Sequence, residues 1–402
     1  MDWLNDPVNF VAGLLGGLLE GWGVAPDAVQ ILLLVLGAAL LAVIPLVVTI
    51  FLIWVERKML GRVQDRLGPN RVGPYGIFQT FADMVKIFTK EFVTPLNADK
   101  VPYNLAPVMV VGAVLMLWAV IPFTSTVYGV DLNVGVLYLV AVGAISSLGI
   151  IFAGWGSNNK YALLGGFRAV AMMLSYEVPM VIALLIPVML TGSMSMQDIV
   201  IAQDIPYIVA APAAALIFFI ASIAEVGRSP FDLLEADSEL VSGFNIEYSG
   251  LKFGFFYVGD FLHGFTTALL FTTLFLGGWR GPGVVMFPIL GVLWFVLKSA
   301  VIFFLSVLIR GSMPRIRIDH VMALNWKVFT PLSLATVAFT AIIDKLIPST
   351  GQNWLRSAVL LVVNIILLVV TERLMRSFTT RNPRPVVAPD PRPVARPEQS
   401  SS

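Results

Sequence analysis

The chain has 402 residues, of which 57% are apolar and only 13% are charged. A soluble chain carries about 25% charged residues, so this composition indicates a polytopic membrane protein. No cysteine is present, which excludes disulfides, thiolate metal sites and iron–sulfur ligation by this chain. The formal charge of +1 gives no indication of nucleic-acid binding.

The N-terminal segment, residues 1–29, contains an apolar run at 8–19 that is too short and too rich in glycine to span a membrane. We expect the segment to lie outside the membrane, at its interface. It lacks the basic n-region of a signal peptide. The first spanning helix is predicted at 30–55, and the charged triplet Glu56-Arg57-Lys58 is expected to end it.

The longest polar region follows, at 56–104, and contains Gly-Pro turn signals. Between residues 76 and 91 the apolar side chains recur at helical spacing on one face. The stretch is too short and too charged to cross a membrane, since it carries Asp83, Lys86 and Lys90. It therefore predicts an amphipathic helix that lies along the membrane surface.

The remaining apolar stretches are each long enough to cross a hydrocarbon core of roughly 30 Å. They lie at 105–124, 134–155, 167–191, 208–227, 255–276, 288–309, 328–347 and 357–374. The predicted fold is therefore all-α, with about nine transmembrane helices in a domain at 30–376, plus the interfacial helix. Residues 377–402 are polar and rich in proline and arginine, which predicts a disordered tail.

Lysine and arginine are distributed unevenly among the loops. Most of them lie at 56–104, 156–166, 228–254 and 310–327 or beyond the last span. The positive-inside rule therefore predicts that these loops and the C-terminus are cytoplasmic and that the N-terminus lies outside.

Carboxylates are concentrated between residues 224 and 249, in one of these cytoplasmic loops and at the end of the span before it. They are Glu225, Asp232, Glu235, Asp237, Glu239 and Glu247, and Arg228 lies among them. Like charges crowded in an apolar setting favour proton uptake. For an arbitrary membrane protein, a solvated acidic loop is the simpler interpretation.

Glu177 lies well inside a predicted span, where a charge costs about 2.5–3.5 kcal/mol on insertion scales. Pro179 cannot donate to the carbonyl of Ser175, which leaves a polar backbone group one turn away. We favour a protonatable site over a structural buried carboxyl. Asp260, which shares a helix face with His263, and Lys298 also fall within predicted spans, and either could be an interfacial anchor.

Five motifs occur in order along the chain. They are E-R-K-x-L-G-x-x-Q-x-R-x-G-P-N-x-V-G-P, Q-x-x-A-D-x-x-K-x-x-x-K-E, Y-A-L-L-G-x-x-R-x-x-A-x-x-x-S-Y-E, P-F-D-L-x-E-x-x-x-E-L-V-x-G-F-N-x-E-Y-S-G and P-R-x-R-x-D-x-x-M-x-x-x-W-K. Together they resemble the H-subunit family of proton-translocating NADH–quinone oxidoreductase, respiratory complex I. The resemblance runs from about residue 30 to 330.

The resemblance implies a quinone chamber and a path for protons through the bacterial plasma membrane. The implied quinone-binding residues are Arg57, Lys58, Arg66, Phe81, Asp83, Lys86 and Phe231. The implied proton path comprises Glu177, Glu225, Asp232, Glu235, Asp237, Glu239, Glu247, Asp260, Arg168, Arg228, Lys298, Arg310 and Arg315.

The resemblance also implies the cofactors and partners. Quinone, either ubiquinone or menaquinone, would be the substrate, with no catalytic residue, metal or cofactor on this chain. Iron–sulfur clusters and FMN would belong to partner subunits, and the contacts would be with the peripheral arm, small and antiporter-like membrane subunits, and lipid. Three alternatives stay open: the equivalent subunit of a hydrogenase or other-donor dehydrogenase, a passive scaffold for the arm and, more remotely, a proton-coupled carrier.

Overall fold

The computed structural model describes residues 6–232, 241–347 and 353–381, and these residues form helices and loops without a strand. The helices are α1 (Pro7–Gly21), α2 (Pro26–Val63), α3 (Gln79–Thr89), α4 (Lys100–Trp118), α5 (Gly135–Gly156), α6 (Lys160–Thr191), α7 (Met196–Ala202), α8 (Tyr207–Ala210), α9 (Pro212–Glu225), α10 (Gly250–Phe275), α11 (Leu290–Ser312), α12 (Ile318–Leu324), α13 (Thr330–Leu346) and α14 (Asn353–Arg381). A π-helix, Asn325–Phe329, joins α12 to α13.

Eight helices among the described residues are long and apolar enough to cross a membrane. They are α2, α4, α5, α6, α10, α11, the continuous segment Ile318–Leu346, and Trp354–Ser377 within α14. The all-α, multi-pass architecture predicted from the sequence is therefore confirmed. The interfacial helix predicted at 76–91 corresponds to α3, Gln79–Thr89.

The predicted span at 208–227 is broken in the structure. It consists of α8 and the 14-residue α9, which are separated at Ala211, where φ is −131° and ψ is 63°. Pro212 causes the break, because proline disfavours helical geometry in the residue before it and suits the first position of a new helix. At 1.5 Å per residue α9 covers only about 21 Å, less than a full hydrocarbon core.

The first spanning helix is longer than predicted. α2 continues through Glu56, Arg57 and Lys58 and ends at Val63, so the expectation that the charged triplet stops the helix is wrong. These residues favour helix, and Arg62 in the last turn complements the negative end of the helix dipole. Consecutive residues on a helix point about 100° apart, so Glu56 and Arg57 face different neighbours.

α10 lies at the centre of the helix bundle. In its most apolar window 89% of the residues are buried, against 6% in α2 and 11% in α14. α10 packs against α4, α11, α2, α9 and α3. The charged or polar side chains that α10 carries therefore meet groups from several helices at once. The last helix runs to Arg381, into the segment predicted as a tail, and residues 382–402 lie outside the described residues.

Candidate functional site

A cavity of about 370 Å³ lies between α2, the amphipathic α3 and α10. We call it the outer cavity. Most of its walls are apolar, and its polar members are Thr49, Arg57, Thr80, Asp83 and Tyr257. Val43, Val47 and Phe88 line it and are themselves exposed. The cavity therefore opens on the surface of spanning helix α2, and its charged groups, Arg57 and Asp83, lie together towards one end.

Arg57 and Asp83 form an ion pair at the polar end of the outer cavity. Arg57 Nη1 lies 2.6 Å from Asp83 Oδ2, and Lys86 Nζ lies 3.2 Å from Asp83 Oδ1. Burial disfavours the Asp83 carboxylate, but the hydrogen bonds from Arg57 and Lys86 outweigh this effect and lower its pKa below the ordinary value. Asp83 therefore stays ionised, and α3 is fastened to α2.

The other predicted quinone-binding residues fall in different places. Arg66 lines a broad surface depression that also includes Arg57. The side chain of Phe81 is 53% exposed and does not line the outer cavity. Phe231 is buried and its ring lies 5.2 Å from that of Tyr176, so it packs in the core instead of lining the outer cavity.

Lys58 directly follows Arg57 on α2 and lines neither the outer cavity nor the surface depression. Its backbone packs closely against the Gly-Pro turn: a Cβ added at Gly68 would meet the Lys58 Cα at 3.1 Å and its Cδ at 3.2 Å. The turn therefore holds the first polar loop against the end of α2.

Glu56 lies at the centre of a buried group of charges that we call the ion cluster, formed by Glu56, Arg228 and Arg310. Glu56 is 1% exposed. Its Oε2 lies 3.2 Å from Arg228 Nη2, and its Oε1 accepts a hydrogen bond from Arg310 Nη1. The cluster ties the end of α2 to the loop after α9 and to the end of α11.

Aromatic rings and a glycine accommodate the Arg228 guanidinium. Its Cζ lies 5.3 Å from the ring centroid of Phe261 and 5.6 Å from that of Phe303, where cation–π attraction stabilises a desolvated cation. A Cβ at Gly264 would lie only 2.7 Å from Arg228 Cζ. Glycine at this position of α10 therefore gives the arginine its space.

A small polar cavity of about 50 Å³ adjoins the ion cluster and is lined by Arg228, Asp232, Tyr257, Asp260 and Arg310, among others. Tyr257 lines the outer cavity as well. The two cavities therefore lie on either side of one tyrosine on α10. The structure brings together four residues of the predicted proton path here, from the loop after α9, from α10 and from α11.

A third cavity, of about 20 Å³, lies deeper, where α4, α5, α6, α9 and α10 converge. Its ionisable lining groups are Glu177, Glu225 and His263, and we call it the inner acid cavity. Glu225 Oε1 lies 3.9 Å from His263 Nε2, and both side chains are largely buried. Glu225 ends α9 three residues before Arg228, so the inner acid cavity and the ion cluster are neighbours.

The carbonyl that Pro179 leaves without a backbone donor is satisfied by a side chain. Asn325 Nδ2, at the start of the π-helix, donates to the carbonyl of Ser175 at 2.6 Å. The hydrogen bond from Asn325 to the carbonyl that Pro179 leaves free therefore connects α6 to the π-helix. π-Helical turns occur frequently at functional sites.

Glu247 and Lys298 have partners of their own. Glu247 accepts a hydrogen bond from Asn159 Nδ2 at 2.7 Å, which places it at the start of α6. Lys298 Nζ donates to the carbonyls of Leu276, Gly278 and Arg280 at 2.9, 3.0 and 2.7 Å. Lys298 thus binds the carbonyl groups just after α10, near that helix's C-terminus.

The remaining predicted residues are distributed over α6, a loop and a segment outside the described ranges. Arg168 is on α6, the helix of Glu177, and Arg315 is exposed in the loop between α11 and α12. Glu235, Asp237 and Glu239 lie outside the described residues. Within the part of the chain that the structure describes, no group of three or more His, Asp or Glu side chains is placed to hold a metal ion.

Three ionisable residues of these cavities and of the ion cluster are absent from the site predicted from sequence: Glu56, Tyr257 and His263. Glu56 belongs to the E-R-K motif, where the sequence indicates only the end of a span. Helical spacing pairs His263 with Asp260, whereas the two residues line different cavities. A sequence signal exists for His263, because an ionisable residue inside a span merits individual attention.

Comparison with known proteins gives consistent matches. Residues 36–341 match the family model described as NADH dehydrogenase. A protein from Dehalococcoides mccartyi strain CBDB1 is 46% identical over 320 residues, which is 80% of this chain and 88% of the relative. One from Geobacillus kaustophilus is 47% identical over 310 residues, 77% of this chain and 92% of the relative. Both relatives are named as the H subunit of NADH-quinone oxidoreductase.

Proposed function

The chain belongs to the NADH dehydrogenase family, and we propose that it forms the quinone chamber of an NADH–quinone oxidoreductase and couples quinone reduction to proton translocation. It is a multi-pass membrane protein. In this proposal it carries no redox group, and it receives a quinone whose reduction is driven by electrons from iron–sulfur clusters and FMN in partner subunits.

The outer cavity is the observation that carries the quinone part of the proposal. A quinone has an apolar tail and a ring with two carbonyl oxygens, so its site needs long apolar walls and a few hydrogen-bond donors at one end. The outer cavity has apolar walls, an exposed mouth on α2, and Arg57 and Tyr257 as donors. A tail would lie towards Val47 and the exposed mouth, with the ring towards Arg57.

The row of cavities supports the proton part of the proposal. From the outer cavity, Tyr257 leads to the polar cavity with Asp232 and Asp260, and the inner acid cavity with Glu177 and Glu225 lies beyond it. Two positive charges of the ion cluster face this row. A change of charge at the quinone would alter the proton affinity of the nearest acids. Because the protonation states of neighbouring acids depend on one another, this change would in turn alter the proton affinity of the next acids in the row.

The orientation and the partners follow from the same proposal. The N-terminus lies outside and the C-terminus in the cytoplasm, in the plasma membrane of a bacterium. The arginine-rich region after α2, the acidic loop after α9 and the loop before α12 then face the peripheral arm. The charges of these three regions suit electrostatic contact with the arm, and the first region also has Gly-Pro turns that restrict its backbone.

The experiment places a bulky side chain at the mouth of the outer cavity in the assembled complex. Val47→Trp should narrow the mouth, raise the KM for quinone at least about tenfold and weaken labelling of this chain by a photoreactive quinone analogue. Val35→Trp is the matched control, because Val35 is equally exposed on α2 but does not line the cavity. Equal KM and labelling in both variants would refute the quinone chamber and favour a passive scaffold.

A further inference from the structure

His263 is a buried ionisable residue whose position is not explained by the row of carboxylates alone. It projects from α10 into the inner acid cavity, opposite Glu177 on α6 and Glu225 at the end of α9. The residue is 8% exposed. Imidazole can accept a proton at one ring nitrogen and release one from the other, which a carboxylate or a hydroxyl does less readily near neutral pH.

The distance between the two nearest groups indicates how they communicate. Glu225 Oε1 and His263 Nε2 are 3.9 Å apart, too far for a direct hydrogen bond. The cavity between them is about 20 Å³, and about 10–15 Å³ is enough for one water. Two carboxyl groups and an imidazole supply the polar partners that a buried water requires.

We propose that His263 is a proton-relay residue, linked to Glu225 and Glu177 by a water in the inner acid cavity. The Glu225 carboxyl gives its proton to the water, the water gives one of its own to His263 Nε2, and the carboxylate and imidazolium remain. Return of the proton restores both neutral groups. This inference rests on the proposed proton-coupling function and adds to it a residue that is not a carboxylate.

The surroundings of His263 favour a relay over a lasting ion pair. Among the described residues, the charged groups that line the cavity or act on His263 are Glu225, Glu177 and Arg228, and Arg228 is already paired with Glu56 in the ion cluster. The other lining groups are mainly apolar, such as Phe218 and Leu270. A proton that reaches His263 therefore finds few other acceptors, and the carboxylates are its nearest destinations.

The first test compares His263→Gln and His263→Glu in the complete complex in proteoliposomes. Gln and Glu have the same shape, but only Glu takes up and releases a proton. We expect His263→Gln to slow proton translocation at least about tenfold, with the quinone KM unchanged, and His263→Glu to recover part of the rate. A purely structural histidine would give equal losses in both variants, which would overturn the proposal.

A second test removes the water and keeps the histidine. A Cβ at Gly143, on the wall of the cavity, would lie 3.6 Å from Glu225 Oε1 with no other heavy atom within 4 Å, so Gly143→Ala fits without a clash. Its methyl group takes space from the water. We expect slower proton translocation, whereas Gly112→Ala, which has nothing within 4 Å in α4, should leave the rate unchanged.

Glu225→Gln serves as the reference variant. It distinguishes a failure of the relay through His263 from a failure of the proton-coupling function as a whole. If Glu225→Gln slows translocation while His263→Gln and Gly143→Ala do not, the relay through His263 is wrong and the carboxylate path stands. If Glu225→Gln has no effect either, the proton-coupling function itself fails. Rates are compared at equal amounts of assembled complex, so a lower yield of any variant does not alter the outcome.

Discussion

Glu56 and Arg57 are neighbours on α2, and each forms a carboxylate–guanidinium pair, but the two pairs lie in opposite settings. The side chains of Arg57 and Asp83 are 35% and 23% exposed and border a cavity that opens at the helix surface. Those of Arg228 and Glu56 are 7% and 1% exposed. One turn of helix thus presents a solvated pair to the outer cavity and a desolvated pair to the interior.

The difference in burial changes what each pair does. A solvated pair contributes only about 0–1 kcal/mol, so its partners can separate and bind a ligand instead. A desolvated pair is held in place, because removal of one partner leaves an uncompensated buried charge that costs about 3–5 kcal/mol. We infer that the first pair is suited to exchange with a substrate and the second to transmission of charge between helices.

The largest effect is expected when the ion cluster loses its carboxylate. Glu56→Leu leaves Arg228 buried beside apolar rings, and the only other member of the ion cluster, Arg310, carries the same positive charge and repels it. We expect a loss of about 3–5 kcal/mol of stability, seen as a lower unfolding temperature of the purified chain or complex. Arg310 contributes less to the loss, since its side chain is 34% exposed and can turn towards water.

The double variant Glu56→Leu/Arg228→Met distinguishes a buried pair from two unrelated core residues. An apolar replacement of both partners is often tolerated, so the double variant should be more stable than Glu56→Leu alone. The coupling free energy then follows from the double-mutant cycle. Additive losses would show that the two side chains do not stabilise each other.

A smaller loss is expected from crowding the same arginine. Gly264→Ala would place a methyl group 2.7 Å from Arg228 Cζ, so the guanidinium must shift from its present position beside Phe261 and Phe303. Overpacking of this kind costs about 1–3 kcal/mol. Gly37→Ala, with nothing within 4 Å in α2, is the control and should be neutral or stabilising in a thermal melt. Equal unfolding temperatures for Gly264→Ala and Gly37→Ala would mean that the Arg228 side chain moves without a loss of stability.

The spans were predictable because their signal is local. Apolar runs of sufficient length appear in the sequence wherever the structure has a long membrane helix, and α3 is evident from its one-sided periodicity. The break before α9 is harder to predict, although Pro212 is visible in the sequence, because the apolar run continues through it. Helix boundaries depend on such local backbone effects more than on hydropathy.

Many ionisable residues of the candidate site were predictable from the sequence, but Glu56, Tyr257 and His263 were not. How these residues are grouped could be seen only in the fold. Glu56 meets Arg228 and Arg310 across large separations in sequence, and no local pattern announces these contacts. Helical spacing suggests that His263 pairs with Asp260, but packing against α9 places it beside Glu225. The orientation of a helix about its axis, which decides these contacts, is fixed by its neighbours.

The smallest effect is expected at the solvated pair and concerns pH. Because the folded state lowers the pKa of Asp83, the pair contributes its stability above the unfolded-state pKa of about 4 and loses it as the pH falls through the lower folded-state pKa. Asp83→Asn removes this contribution, at most about 1 kcal/mol, at neutral pH. It should also flatten the loss below pH about 4.

A dye attached at Lys90→Cys, just after α3, can report this loss in the chain reconstituted in nanodiscs, because the natural sequence has no cysteine. With Asp83 present, the dye signal should change at acid pH as α3 loosens from Arg57. Asp83→Asn should show the loosened signal already at neutral pH, whereas Glu91→Gln, two residues beyond α3, should keep the acid transition. If Asp83→Asn also keeps the transition, the Arg57–Asp83 pair does not fasten α3, and the mouth of the outer cavity depends on apolar contacts alone.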